Sequence, residues 1–455
     1  MEPIDALRAF RHSIYRCFDH RADALFELGD ALLTAGVVPS PVHLSLQPSH
    51  RRGWGSLYAA LRRGRIDAAA LRRLLVRDPL AAAVAGGEAP VYAVDVSVWP
   101  RCDAECRAPN AASTTIPRAT PPASPSWPGG PISGSLGSDS PARAGPPRWT
   151  WSACLPPRTP KRGRRRAGEG PARPVADRRG RAFVRLRRLL YDPVQVQQGL
   201  EGCRGQILVR LRAGRCFYAD PVGPPAPTGR HRRHGRKFDC KDPASWPEPS
   251  AEHACEDAGY GKVRVRAWAN LHPKVQAHAG RGSRGPTPIV RGTLVLVEVE
   301  RLPGGERRRE PRVLWLWWHA LDGVAAAPDL GLLWRAYARR LDLEHTFRFL
   351  KQSMGWSTPR VRHPEQADRW TWLVLAAYTQ LRLARSCVAD RRLPWERCYA
   401  PGRLTPLRVH RGVLSILAEL GTPAKPPKPC GRSPGRPKGR RSGRAKRYPA
   451  LKKAT

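Results

Sequence analysis

Acidic residues are scarce in this chain. Asp and Glu number 37 against 80 Lys and Arg, and the formal charge is +43. A surplus of that size points away from cationic partners and toward a polyanion. Nucleic acid stands first, and an anionic membrane surface second. Long apolar runs are also missing. No stretch reaches the roughly 18 residues that a membrane helix needs, and VLWLWW at Val313–Trp318 falls far short. A membrane-spanning protein is thereby excluded, and a soluble one is expected. There is no dense cysteine framework either. The 11 cysteines are scattered, at Cys17, Cys102, Cys106, Cys154, Cys203, Cys216 and onward, which excludes a disulfide scaffold and fits a reducing cytoplasm. The start, MEPIDALRAFRHSIYRCF, alternates charge and apolar residues in a helical pattern and does not read as a signal peptide. What is present is enough hydrophobic residue, 41%, for real cores, in a length that favours about three domains.

Residues 1–85 read as a helical domain. Leu7, Phe10, Ile14 and Phe18 recur at three- and four-residue steps, as do Leu25, Leu28, Leu32 and Leu33. Ser56–Leu75 predicts two short amphipathic helices around a Gly-Arg turn, with Asp67 placed to cap the second. Arg51, Arg52, Arg62, Arg63, Arg72 and Arg73 line them. That basic lining fits DNA binding and equally fits a solvated face of a helical bundle.

APVYAVDVSVW, residues 90–100, changes the period to two. Val91, Ala93, Asp95 and Ser97 share one face; Tyr92, Val94, Val96 and Val98 share the other. Both faces are largely apolar, as in a central strand covered by helices. Asp95 sits in its middle, where a carboxylate is costly unless something pairs with it.

From Arg107 to about Leu190 the chain is dominated by Pro, Gly, Ala, Ser and Arg, with Asp139, Glu169 and Asp177 as its acids. This stretch predicts a disordered basic segment. Beyond it, strands are expected at Gln206–Arg212, Arg215–Ala219, Lys262–Asn270, Thr293–Leu302 and Arg312–Ala320. Together these make residues 205–320 a β-rich part. Helices are expected at Asp329–Gln352, Glu365–Val388 and Thr405–Leu420. The last 33 residues, Pro423–Thr455, hold no acid and read as a disordered polybasic arm suited to non-specific phosphate contact.

One short stretch concentrates unlike chemistry: YARRLDLEHTFRFLK, Tyr337–Lys351. Wound as a single helix, it sets Tyr337, Arg340, Glu344 and Lys351 within about a 60° stripe. Ala336, Leu343, Phe347 and Leu350 form the adjacent apolar arc. Arg340 and Glu344 alone are a common i,i+4 surface pair. The full spacing, Tyr-x2-Arg-x3-Glu-x6-Lys, resembles the Y-R-E-K signature of a large group of bacterial insertion-sequence transposases of the Asp-Asp-Glu superfamily. The resemblance covers Pro90–Cys106 and Tyr191 to the C-terminal helices.

The resemblance implies an α/β, RNase H-like core over residues 90–422, carrying a β-rich insertion before the Glu helix. It implies Mg²⁺ (or Mn²⁺) as cofactor, with cleavage and transfer of DNA strands as the reaction. Carboxylates suit that chemistry, because they hold a hard cation and leave positions open for water and phosphate. Asp95 matches the first catalytic Asp and metal ligand, and Glu344 the Glu. Tyr337, Arg340 and Lys351 then contact the phosphates of the element's ends, Arg in bidentate fashion and Lys as a point charge. The implied partners are end and target DNA and a second copy of the chain, as a homodimer on DNA.

The signature's second Asp has no clear match. Tyr191-Asp192-Pro193 resembles the tail of that motif, yet Arg188 stands where the Asp belongs. Asp192 is the best remaining carboxylate, with Asp220 behind it. One explanation is that Arg107–Leu190 is partly an out-of-frame translation. Under one choice of codons, Pro109–Pro117 hides Glu-Arg-Gly-Phe-Tyr-Tyr-His-Pro in a neighbouring frame, and Leu186–Leu189 hides Phe-Asp-Ala in another. A natural insertion is the other explanation.

Weaker signals remain. Cys102-x3-Cys106, and His231-x2-His234 with Cys240, do not complete a four-ligand zinc set. Gly431–Arg441, GRSPGRPKGRR, resembles a minor-groove hook and equally a solvated tail. Two further functions stay open: a non-catalytic DNA-binding remnant, favoured by Arg188, and a basic RNA-binding protein, for which no aromatic stacking motif speaks.

Overall fold

The computed structural model describes residues 2–38, 40–76, 91–98, 131–138, 149–153, 182–186, 205–223, 232–274, 289–303, 312–321, 327–361, 363–400, 402–429 and 439. The chain opens with α1 (Pro3–Arg16), β1 (Phe18–His20), α2 (Ala22–Thr34), α3 (Pro41–Leu44), α4 (Trp54–Arg63), β2 (Arg65–Ile66) and α5 (Ala68–Val76). Strands follow: β3 (Val91–Val98), β4 (Pro131–Ser138), β5 (Trp149–Ala153), β6 (Ala182–Leu186), β7 (Gly205–Arg210), β8 (Cys216–Tyr218) and β9 (Lys237–Asp239). Then come β10 (Ala251–Asp257), β11 (Gly261–Pro273), β12 (Gly292–Val299) and β13 (Arg312–Leu321). The helices α6 (Leu330–Ala338), α7 (Arg340–Gln352), α8 (Pro364–Leu383), α9 (Pro406–Gly412) and α10 (Leu414–Leu420) close the order.

Two compact units result. One holds Met1–Arg77, Ser97–Ile132 and His345–Thr455; the other holds Asp78–Val96 and Ser133–Glu344. The first is helical. Its N-terminal helices pack on α8, whose buried residues run round the whole helix from Trp370 to Leu381. A helix apolar on every side belongs in a core. Leu7, Phe10 and Ile14 of α1 and Leu25, Leu28 and Leu32 of α2 are almost fully buried around it. The predicted pair of helices at Ser56–Leu75 is present as α4 and α5. Asp67 caps α5, its Oδ1 accepting the N–H groups of Ala69 and Ala70 at 2.9 Å each.

Buried polar groups tie this unit together across the chain. Arg11, 1% exposed, donates to both oxygens of Asp30 at 2.8 and 3.0 Å and to Oε1 of Gln380 at 2.8 Å. It also reaches the carbonyl of Gly421 at 3.0 Å. His410 bonds through Nε2 to the carbonyl of Leu32 at 2.9 Å.

The second unit is built on one sheet. Among the described residues its strand order is β5-β4-β3-β6-β7-β13-β12-β11-β8-β9, with β10 paired to β11 off that path. β3, β6 and β7 run parallel. β7 with β13, β13 with β12, and β12 with β11 are antiparallel. Period-two alternation covers both faces here. Trp315 and Trp317 point to a cluster with Phe217, Phe238 and Trp268. Leu316 and Trp318 point to the opposite cluster, with Val265, Val295 and the α6 residues Leu333 and Trp334. Phe217 and Trp317 stack at 5.2 Å. Gly292 makes room for that packing, since a Cβ there would overlap the Trp317 indole.

Three strands, β4, β5 and β6, lie where the sequence predicts no regular structure. The segment PISGSLGS has little intrinsic strand preference. Its backbone is recruited by pairing, β4 with β5 and β6 with β3 and β7. β10 is likewise unannounced by local pattern, because AEHACED mixes small and charged residues without a β-branched or aromatic one, at a position paired to β11.

Candidate active site

Asp95 lies in β3, flanked by β4 on one side and β6 on the other. The chain continues from β3 to β4 on one side and returns as β6 on the other. Strand order therefore reverses at the β3–β6 junction. In open α/β sheets, ligands bind outside the carboxyl ends of strands at such a reversal. The parallel register pairs Val94 with Leu186, so the two strands end toward the same edge. The segment in which the second carboxylate is expected begins there. Asp192 and Arg188 lie outside the described residues.

The stretch Tyr337–Lys351 is not the single helix that its periodicity predicts. α6 ends at Ala338 and α7 begins at Arg340. At Arg339 the N–H is shared between the carbonyls of Arg335 and Tyr337, and the Asp342 N–H bonds back to the Arg339 carbonyl at 3.1 Å. The i→i+3 bond tightens the turn at which α6 gives way to α7. Arg340, Glu344 and Lys351 belong to α7, whereas Tyr337 belongs to α6. Its residue is 9% exposed and its ring packs in the cluster between α6 and the sheet. Glu344 and Lys351 are half-buried, and Leu343, Phe347 and Leu350 form the buried arc that the sequence predicts. Asp95, Tyr337, Arg340 and Glu344 fall in the sheet unit, and Lys351 in the helical one.

Spacing alone did not single out Arg339. Its Nε lies 3.3 Å from Oδ2 of Asp342, and its Nη1 is buried without a hydrogen-bond partner among the described residues. A buried guanidinium N–H with capacity to spare is a natural donor to a phosphate oxygen. Asp329 at the start of α6 has a structural role, capping the helix through Oδ1 to the Leu332 N–H at 2.9 Å.

Asp95 and Glu344 provide carboxylate oxygens, the donor type that Mg²⁺ and Mn²⁺ take. Among the described residues no group of three His, Cys, Asp or Glu side chains gathers as a metal-binding set. The zinc alternative finds little support. Cys102, Cys106 and His231 lie outside the described residues. Burial pushes the Cys240 thiol up to about 12, away from the thiolate a metal needs. His234 stacks on His272 at 5.2 Å and meets the Tyr218 ring at a tilt, 4.7 Å between centroids. Asp220, the reserve carboxylate, accepts from Nε of Arg291 at 2.8 Å, and that bond lowers its pKa.

Residues 13–129 match the family model described as DDE superfamily endonuclease. The match runs from α1 through β3 and takes in Asp95; α6 and α7 lie beyond it. It bears out the likeness to Asp-Asp-Glu-type transposases that the sequence carries. No curated protein matches the chain. Among the described residues, no helix is long and apolar enough to cross a membrane.

Proposed function

From its likeness to the DDE superfamily endonucleases, we propose that this protein is an insertion-sequence transposase of the Y-R-E-K group with an RNase H-like core. It cleaves the DNA strands at its element's ends and transfers them to target DNA. The observation that carries the reading is the family match across β3 and Asp95. A central Asp-bearing strand beside a parallel neighbour, with a Glu-bearing helix after the sheet, supports it.

Asp95 and Glu344 are the proposed metal ligands. A divalent cation held there would polarise the scissile phosphate and activate the attacking oxygen. Arg340 and Lys351 bind phosphates along the α7 stripe, with Arg339 adding a buried donor at its start. Tyr337, near the end of α6, contacts a phosphate through its hydroxyl. Two copies hold the two ends in a homodimer on DNA.

The test is incubation of the purified chain with labelled duplex bearing the element's ends, with and without Mg²⁺. Mg²⁺-dependent nicking is expected, with loss in Asp95→Ala and in Glu344→Ala while both variants still shift the duplex. Binding without nicking would establish the second reading, a DNA-binding remnant, which Arg188 in place of the second Asp favours. Preference for structured RNA over end DNA would overturn both. Sequencing the gene with its flanks decides what residues 107–190 are. A hidden frame restoring a strand-end Asp marks a decayed element; otherwise Asp192→Ala is the next variant for the nicking assay.

A further inference from the structure

The loop after α8 presents an aromatic side chain to solvent from a braced backbone. Trp395 is 79% exposed, and Leu393 and Tyr399 beside it are 38% and 39% exposed. A lone exposed apolar residue is ordinary, but this one sits on a loop fixed from beneath. Arg408, 5% exposed, donates through Nη1 to Oδ1 of Asp390 at 2.8 Å and through Nη2 to the carbonyl of Arg397 at 3.1 Å. Its Nε lies 3.2 Å from Oε2 of Glu396, and its guanidinium covers the Tyr399 ring at 5.5 Å. Glu396 also accepts from Nη1 of Arg411 at 2.8 and 2.7 Å and from the Leu393 N–H at 2.7 Å. The residues on either side of Trp395 are thus pinned while its indole stands free.

The charges left outward on this loop share one sign. Asp390 and Glu396 are both turned inward to Arg408 and Arg411. Arg391, Arg392 and Arg397 are exposed, and none of them ion-pairs among the described residues; Arg392 bonds the Glu396 carbonyl at 3.4 Å. A rigid aromatic face flanked by guanidinium groups matches the chemistry of a stacked base with phosphates on each side.

Resting on the DNA reading above, we propose that this loop binds unpaired DNA, Trp395 stacking on an exposed base and Arg391, Arg392 and Arg397 holding the flanking phosphates. A base inside an intact duplex offers no free face, so the ligand is a single strand or a strand opened near the site of cleavage. Pre-fixing the loop lowers the ordering cost that a mobile loop would meet on binding.

The experiment measures anisotropy of a fluorescein-labelled single strand on the full-length protein, beside an abasic strand with the same phosphates. Trp395→Ala is expected to lose about 5- to 150-fold in affinity for the base-bearing strand and nothing on the abasic one. Trp395→Phe keeps most of the affinity. Arg391→Ala with Arg392→Ala weakens both strands alike and flattens the salt dependence by about 0.7 per arginine. Circular dichroism verifies that each variant folds, as the exposure of Trp395 predicts. Unchanged binding by Trp395→Ala, or equal loss on the abasic strand, overturns the proposal. So does a change in sedimentation with DNA binding intact, which would make the loop a contact between protein copies. If the unsubstituted protein binds no DNA at all, the transposase reading falls with it, whereas the other negative outcomes leave that reading standing.

Discussion

The two units hold themselves together by different means. In the sheet unit, neighbours in sequence become neighbours in space: β11, β12 and β13 pair in chain order, and the indoles of Trp268, Trp315 and Trp317 fill one core of the sheet. In the helical unit, segments far apart in the chain are joined by polar groups removed from water, as Arg11 meets Asp30 and Gln380. Aromatic packing is strong and tolerant of shape-conserving change. A buried ion pair adds little net stability, yet breaking it is expensive, because the surviving charge has no water to return to. The difference teaches where each unit is fragile.

The largest expected effects set the two against each other. Trp317→Ala removes a fully buried indole and its stack on Phe217, and should cost about 3–5 kcal/mol in the sheet unit. Arg11→Met leaves the buried Asp30 carboxyl without its partner, and should cost the helical unit a similar ~3–5 kcal/mol. The second substitution separates the cases. Trp317→Phe restores much of the first loss, whereas Arg11→Met is rescued by Asp30→Leu in the same chain and by no change of size at position 11. Urea unfolding followed by hydrogen exchange on peptides from each unit reads both. If Arg11→Met costs under about 1 kcal/mol, the buried pair is not the tie described.

A smaller effect concerns pH. Burial lowers the pKa of His410 from its ordinary value, although its bond to the Leu32 carbonyl opposes the shift. His50 is lowered by burial as well. A histidine with a depressed folded pKa is neutral in the native state and takes up its proton on unfolding. Its contribution is therefore complete above about pH 6.5 and is lost as pH falls below that value. Each such proton tilts stability by up to about 1.4 kcal/mol per pH unit. Melting the protein from pH 7.5 to 5.5 should show the decline, and His410→Gln should flatten it. An unchanged slope in His410→Gln would mean the ring is not held neutral by its burial.

How much of this was legible beforehand follows the same division. VYAVDVSV and TLVLVEV announce strands because alternation and β-branching are local properties. The arc of Leu343, Phe347 and Leu350 was legible for the same reason. The break at Arg339 was not, since ARRLDLE contains no glycine or proline and every residue accepts a helix. β6 was hidden because AFVRL sits in a basic, Pro- and Gly-rich stretch and gains its place by pairing with β3 and β7. The Arg11–Gln380 contact, 369 residues apart in the chain, leaves no trace in either segment. At the candidate site, the strand that carries Asp95 and the helix that carries Glu344 were legible as elements, while the buried, unpartnered N–H of Arg339 left no mark in the sequence.

The smallest prediction compares two caps of one chemical kind. Asp67 closes the start of α5 in the helical unit with two backbone N–H bonds, and Asp329 closes the start of α6 in the sheet unit with one. Each replacement by Ala should cost about 1 kcal/mol, within a range of 0.5–2. α6 is anchored along its length by Leu330, Leu333, Trp334 and Ala336 in the sheet core, so losing its cap should fray the first turn and little more. α5 is nine residues long, with Leu71 and Leu75 as its buried residues, and a short helix with few anchors depends more on its ends. Asp67→Ala should therefore speed hydrogen exchange over the whole of α5, and Asp329→Ala over the first turn of α6 alone. Equal spreading in both would mean that packing on the sheet confers no more local stability than packing among helices, and the contrast between the two units would fail at this scale.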